Sequence, residues 1–211
     1  MRKTLSVILF LFVITGIAQT KDQKAVSLLD EVSAKTKSYK SIKADFTYTM
    51  ENKQAKINEE KKGTLLLAGD KYRLNVSGQA VICDGKTIWT FIEESNEVQI
   101  NALDNKDDAL TPSKLLTSYN ANYKSKIITD KVTDPNLETI ELTPNTTKSI
   151  LKAIVTIDKA KKQVTVFSMY DKNGNIFTYK ILKFQTDLPI NPNDYSFDKS
   201  KFPGVEVIDM R

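Results

Sequence analysis

Between residue 20 and about residue 38 the apolar positions Ala25, Leu28, Leu29 and Val32 recur three and four apart among charged residues. That spacing predicts an amphipathic helix with one apolar stripe, and Thr20 with Gln23 has the form of a capping box at its start. The period then changes to two. Ile42, Ala44, Phe46, Tyr48 and Met50 alternate with Lys43, Asp45, Thr47, Thr49 and Glu51, the pattern of a strand buried on one side. A charged loop is expected at 59–62 (EEKK), then short strands near 63–68, 71–77, 79–84, 86–92 and 97–103. Asp84-Gly85 between apolar runs predicts a hairpin, because both residues tolerate positive φ.

After an acidic loop at 104–108, Thr111 can cap and Pro112 suits the first position of a short second helix carrying Leu115 and Leu116. Five more strands are expected near 123–129, 137–143, 150–158, 163–170 and 176–185, followed by a proline-containing tail that turns strand-like at 205–208. In the later strands strict alternation gives two apolar faces: Val164 and Val166 oppose Phe167 and Met169, and Ile176, Leu182 and Phe184 oppose Phe177, Tyr179 and Ile181. A sheet with two apolar faces needs a cover on both, from a second layer, helices or a bound ligand.

Composition narrows the function classes. Met1-Arg2-Lys3, an apolar stretch and small Gly16 and Ala18 predict a signal peptide over 1–18, cleaved after Ala18. The stretch is shorter than the roughly 20 residues of a membrane span. Residues 19–211 then form one expected domain, soluble in the periplasm. The formal charge of +5 falls further with the loss of Arg2 and Lys3, too little to argue for nucleic acid. One cysteine, Cys83, excludes an intramolecular disulfide and reads as a small buried strand residue. The chain has no histidine, so the commonest general base and metal ligand is missing. No catalytic residue, cofactor or metal is expected.

Several segments, read in order, resemble the periplasmic lipoprotein carrier family LolA: KSIKADFTYTM (40–50), GTLLL (63–67), DGKTIW (84–89), EVQINAL (97–103), LTPSKLL (110–116) and FPGVEVID (202–209). The resemblance implies a mainly β (α+β) fold, an incompletely closed antiparallel barrel of about eleven strands with helices forming a lid over a vacant apolar cavity. It implies a monomeric carrier that takes acylated lipoproteins from an inner-membrane ABC extractor to an outer-membrane acceptor.

On that resemblance Tyr72 and Leu74, and Leu115 and Leu116, match cavity lining, while Leu28, Leu29 and Val32 form the lid's apolar stripe. Trp89 and Phe91 share a strand face and would look either into the cavity or into a packed outer layer. Ordinary core packing is the alternative for each. The better-known members carry an Arg-Pro before the aromatic, whose arginine holds the lid shut; here the stretch reads Ala68-Gly69-Asp70-Lys71-Tyr72, and Arg73 is expected on the opposite strand face. Two other readings stay open: a lipid or lipoprotein sensor of the RseB type, and a carrier of another amphiphile.

Overall fold

The computed structural model describes residues 21–103, 123–128, 134–146 and 149–211. The helical repeat becomes α1 (Lys21–Ser38), with Ala25, Leu28, Leu29 and Val32 buried along one side. Among the described residues twelve strands follow: β1 (Ile42–Asn52), β2 (Ile57–Ala68), β3 (Lys71–Val76), β4 (Gln79–Cys83), β5 (Thr87–Ile92), β6 (Glu97–Ala102), β7 (Tyr123–Ile127), β8 (Leu137–Pro144), β9 (Ile150–Asp158), β10 (Gln163–Asp171), β11 (Asn175–Thr186) and β12 (Glu206–Asp209). They form one sheet in the order β12-β6-β5-β4-β3-β2-β1-β11-β10-β9-β8-β7.

The sheet is not closed into a barrel, in line with the expected incomplete closure. β12 and β7 end the sheet without pairing to each other, so it is open, and the tail supplies a twelfth strand that runs parallel to β6. One α-helix covers it among the described residues; the helix expected around Leu115 and Leu116, like the segment 1–18, lies outside them. The EEKK stretch is also not a loop. It belongs to β2, where Glu59, Glu60, Lys61 and Lys62 pair with Met50, Thr49, Tyr48 and Thr47. The turn falls earlier, at 53–56, where Asn52 Oδ1 accepts from the Ala55 N–H at 2.9 Å and Lys56 takes a φ of 55°.

β1 sits at the centre and joins two meanders, β2–β6 on one side and β11–β7 on the other. Residues directly opposite each other in a ladder share a face, so β1 fixes the parity of the whole sheet. The row Ile42–Leu67–Tyr72–Cys83–Ile88 runs one way. The row Tyr48–Tyr179–Phe167–Val155–Ile140–Ile127 runs the other. Both lie on the face that α1 covers in part, hereafter the helix side.

Two bulges make that face continuous, and they overturn the two-faced reading of the later strands. Asp45 pairs with Lys183 but Phe46 pairs with Ile181, leaving Leu182 as the extra residue, 55% exposed. The insertion returns Phe184, opposite Ala44, to the side of Phe177, Tyr179 and Ile181. In the same way Val164 pairs with Ile157 and Val166 with Thr156, so Thr165 is extra and Val164 joins Phe167 and Met169. A period-two count carried across a bulge assigns every later residue to the wrong side.

Gly63 shows how tightly this face is filled. A Cβ at this position would clash with the Phe46 ring and lie 2.8 Å from the Asn75 carbonyl oxygen. Gly63→Ala is therefore expected to destabilise the fold by about 1–3 kcal/mol, read from urea unfolding. Adding Phe46→Leu should recover only part, since the Asn75 oxygen stays in place; an unchanged midpoint in Gly63→Ala would refute the packing argument.

Candidate functional site

The helix side carries two apolar clusters. Under α1, Ala25, Leu28, Leu29 and Val32 meet Ile140, Leu142, Val155, Ile157 and neighbours from β8–β10. On β1–β4, Ile42, Ala44, Phe46, Leu65, Leu67, Tyr72 and Cys83 form the second. Tyr179 of β11 packs against both. Around it a stripe of aromatic rings follows β1 and β11: Phe46 lies 5.9 Å from Tyr179, Tyr48 5.2 Å from Tyr179, and Phe177 6.5 Å from Tyr48. Such separations suit offset or tilted rings. Tyr48, Phe177 and Tyr179 are only half-buried, so the apolar surface continues past the helix.

Alternation identified Phe46 and Tyr48 as the buried side of a strand, yet nothing local marked Phe177 and Tyr179 as their neighbours. That contact depends on a pairing between segments more than a hundred residues apart.

Of the residues expected to line a cavity, Leu28, Leu29 and Val32 fall in the first cluster, while Tyr72 and Leu74 lie on the same face in or against the second. Trp89 and Phe91 do not join them. Tyr72 pairs with Cys83 and Cys83 with Ile88, which puts Ile88 on the helix side and turns Trp89 away, opposite Ile82, with Phe91 opposite Ala80. The connection at 84–86 sets this parity: Asp84 Oδ1 accepts from the N–H groups of Lys86 and Thr87, both at 2.8 Å, and Gly85 takes a φ of 95°.

Around Phe91 the far face is packed by the tail. Phe91 meets Phe202 at 4.5 Å and Phe202 stacks on Phe197 at 4.8 Å, while Tyr195 and Val205 of the tail are buried. Arg73 also lies on this far face, between Leu66 and Ile82.

Where α1 lies, the helix side is filled by the helix itself rather than vacant, since Ala25, Leu29 and Val32 are fully buried. A cavity of about 180 Å³ opens beside the helix's last turn, between Thr36, Lys37, Tyr39, Ile42, Leu67, Gly69 and Asp70. It is smaller than the roughly 300–1,000 Å³ of typical small-molecule sites.

The sequence profile of the outer membrane lipoprotein carrier protein LolA matches residues 37–198, about three-quarters of the chain. The chain belongs to this family. An outer-membrane lipoprotein carrier protein from Coxiella burnetii is 20% identical over 204 residues, covering 95% of this chain and 93% of that one. One from Photobacterium profundum is 28% identical over 190 residues, covering 86% and 88%. Among solved structures, a LolA superfamily protein from Nitrosomonas europaea superposes with a TM-score of 0.43 and 10% identity over 84% of this chain and 98% of that one.

The segment matched to the LolA family begins in the last turn of α1 and runs through β11 to Asp198, so it contains both helix-side clusters except for the helical stripe. The two clusters themselves are apolar, while Lys61 opposite Tyr48 and Glu59 opposite Met50 bring charge to the same face at the end of the aromatic stripe. Burial, with a smaller contribution from Cys83, pushes the Tyr72 phenol up to about 12. Burial, then Tyr48, does the same for Tyr179. Burial raises Tyr48, helped by the Glu59 carboxylate, and burial raises the Cys83 thiol. Among the described residues no group of three His, Cys, Asp or Glu side chains is placed to hold a metal ion.

The Tyr72 and Tyr179 phenols carry a pH signature. Both are pushed up from 10.0 to about 12, so the neutral ring favours the fold and the phenolate favours the unfolded chain. The contribution is complete below about pH 10 and is lost as pH rises towards about 12. Urea midpoints measured across that window should fall in the wild type and fall less in Tyr72→Phe and Tyr179→Phe; equal slopes in all three would refute it.

Proposed function

We propose that this chain is a periplasmic carrier that holds the acyl chains of lipoproteins against the helix side of the sheet, with α1 as a displaceable cover. In this reading residues 1–18 are a cleaved signal peptide, cargo arrives from an inner-membrane ABC extractor and passes to an outer-membrane acceptor, and the carrier works as a monomer of one domain. Family membership supports the transport class. The observation that carries the acyl-binding reading is the half-buried aromatic stripe of Tyr48, Phe177 and Tyr179, which extends the apolar face beyond the helix. Tyr72, Leu74, Leu28, Leu29 and Val32 complete the proposed binding set. No helix among the described residues is long and apolar enough to cross a membrane.

Magnitudes favour exchange between helix and cargo. Burying Leu28, Leu29 and Val32 stabilises the closed helix by roughly 5–9 kcal/mol, at about 1.5–3 per side chain. An acyl chain of roughly sixteen carbons gains on the order of 13 kcal/mol when it leaves water, at about 0.8 per methylene. One chain therefore suffices to take the helix's place, and the difference is small enough that an acceptor with stronger acyl contacts can remove it.

The reading is tested with a fluorescent hexadecanoyl probe and a triacylated lipopeptide. Wild-type protein should bind the probe and release it to the lipopeptide. Tyr48→Asp and Phe177→Asp, which place a carboxylate on the apolar face, should weaken uptake about tenfold or more. Phe91→Ala should lower stability while its folded fraction binds like wild type. No uptake by wild type, or a loss confined to Phe91→Ala, would remove the proposal. In cells, depletion should strand lipoproteins at the inner membrane; a change in a stress response alone would point to a sensor.

A further inference from the structure

α1 is attached to the sheet by more than its apolar stripe. Glu31 and Lys35 stand four residues apart, on one side of the helix, and both reach the turn between β9 and β10. Lys162 Nζ lies 2.7 Å from Glu31 Oε2, and Lys35 Nζ donates to the Lys161 carbonyl oxygen at 2.8 Å. The turn is itself braced, because the Lys161 N–H donates to Asp158 Oδ1 at 2.9 Å and Lys161 Nζ lies 3.4 Å from Asp158 Oδ2. Beyond the helix, Lys40 N–H donates to Asp187 Oδ1 at 2.8 Å and Ser41 Oγ to the Leu188 carbonyl at 2.8 Å. The chain is thus fixed where α1 ends, and the charged contacts act on the helix itself.

We propose that Glu31 and Lys162, with Lys35 on the Lys161 carbonyl, are positioning residues for cargo exchange: they clasp α1 to the β9–β10 turn and set how often the helix leaves the sheet. This rests on the carrier reading above. Apolar contact is non-directional and lets a helix slide or roll on an apolar face, whereas two charged contacts to consecutive turn residues select one placement. Their solvent access matters as much as their geometry. The Glu31 and Lys162 side chains are 51% and 34% exposed, so the pair is weak and salt-screened. A clasp of this kind biases closure and still yields to an acyl chain. It also makes opening respond to ionic strength, which burial of Leu29 and Val32 does not.

The test measures amide hydrogen exchange of α1 in cargo-free, full-length protein at low and high salt, alongside uptake of the hexadecanoyl probe. In wild type, exchange of α1 should rise with salt. Glu31→Gln should raise it about two- to fivefold at low salt and flatten the salt response, and Glu31→Lys should raise it further. The charge exchange Glu31→Lys with Lys162→Glu should return both readouts towards wild type, which a merely structural role for either residue would not produce. Probe uptake should quicken in step with helix opening. Unchanged exchange in the single variants, a charge exchange as open as Glu31→Lys, or faster opening without faster uptake would each overturn the proposal. Wild-type protein that takes up no probe overturns the carrier reading and the role in cargo exchange with it, whereas normal wild-type uptake with unaltered variants overturns the clasp alone.

Discussion

The pairing of β1 with β11 is the constraint on which the remaining structure depends. It joins the two meanders, and its bulge at Leu182 lets Phe184 share a face with Ile181, Tyr179 and Phe177. A slip of one residue would send those rings to the far side and break the apolar face in two. With the register as it stands, one face runs unbroken from Ile88 of β5 to Ile127 of β7. The aromatic stripe at its middle is a direct product of this ladder.

The two faces of the sheet are covered by different means. On the far face the tail is held by a backbone ladder from β12 to β6, extended by the Glu206 N–H to the Asn96 carbonyl and the Met210 N–H to the Ile100 carbonyl, and by the rings of Phe197 and Phe202 on Phe91. On the helix side, α1 meets the sheet through apolar packing and side-chain bonds. A cover tied through main-chain ladders is part of the fold, while one tied through side chains can separate from it as a unit. On the proposed reading, this difference in attachment lets α1 give way to an apolar ligand while the tail stays in place.

The chain has no histidine, and its buried phenols and thiol are held neutral by desolvation. On the proposed reading, such a surface would bind acyl chains by excluding water, which asks of the fold a large apolar face and a cover of comparable affinity.

Local periodicity determined the elements that local forces make. The 3.6-residue stripe of α1, its end at Ser38, the alternation of β1 and the Asp84-Gly85 turn were all readable, because each depends on residues within a few positions of one another. Side assignment was not readable. Whether Trp89 or Ile88 faces the helix is settled by the length of one turn and the pairing of β4 with β5; whether Val164 faces with Val166 or with Phe167 is settled by a bulge against β9. EEKK reads as a loop because its charges hide the part of β2 that pairs with β1 but lies before the residues pairing with β3. Sequence specifies where a strand forms and which residues alternate along it. Only long-range hydrogen bonding, which counts residues across the ladder rather than along the chain, decides which side of the sheet each of them joins.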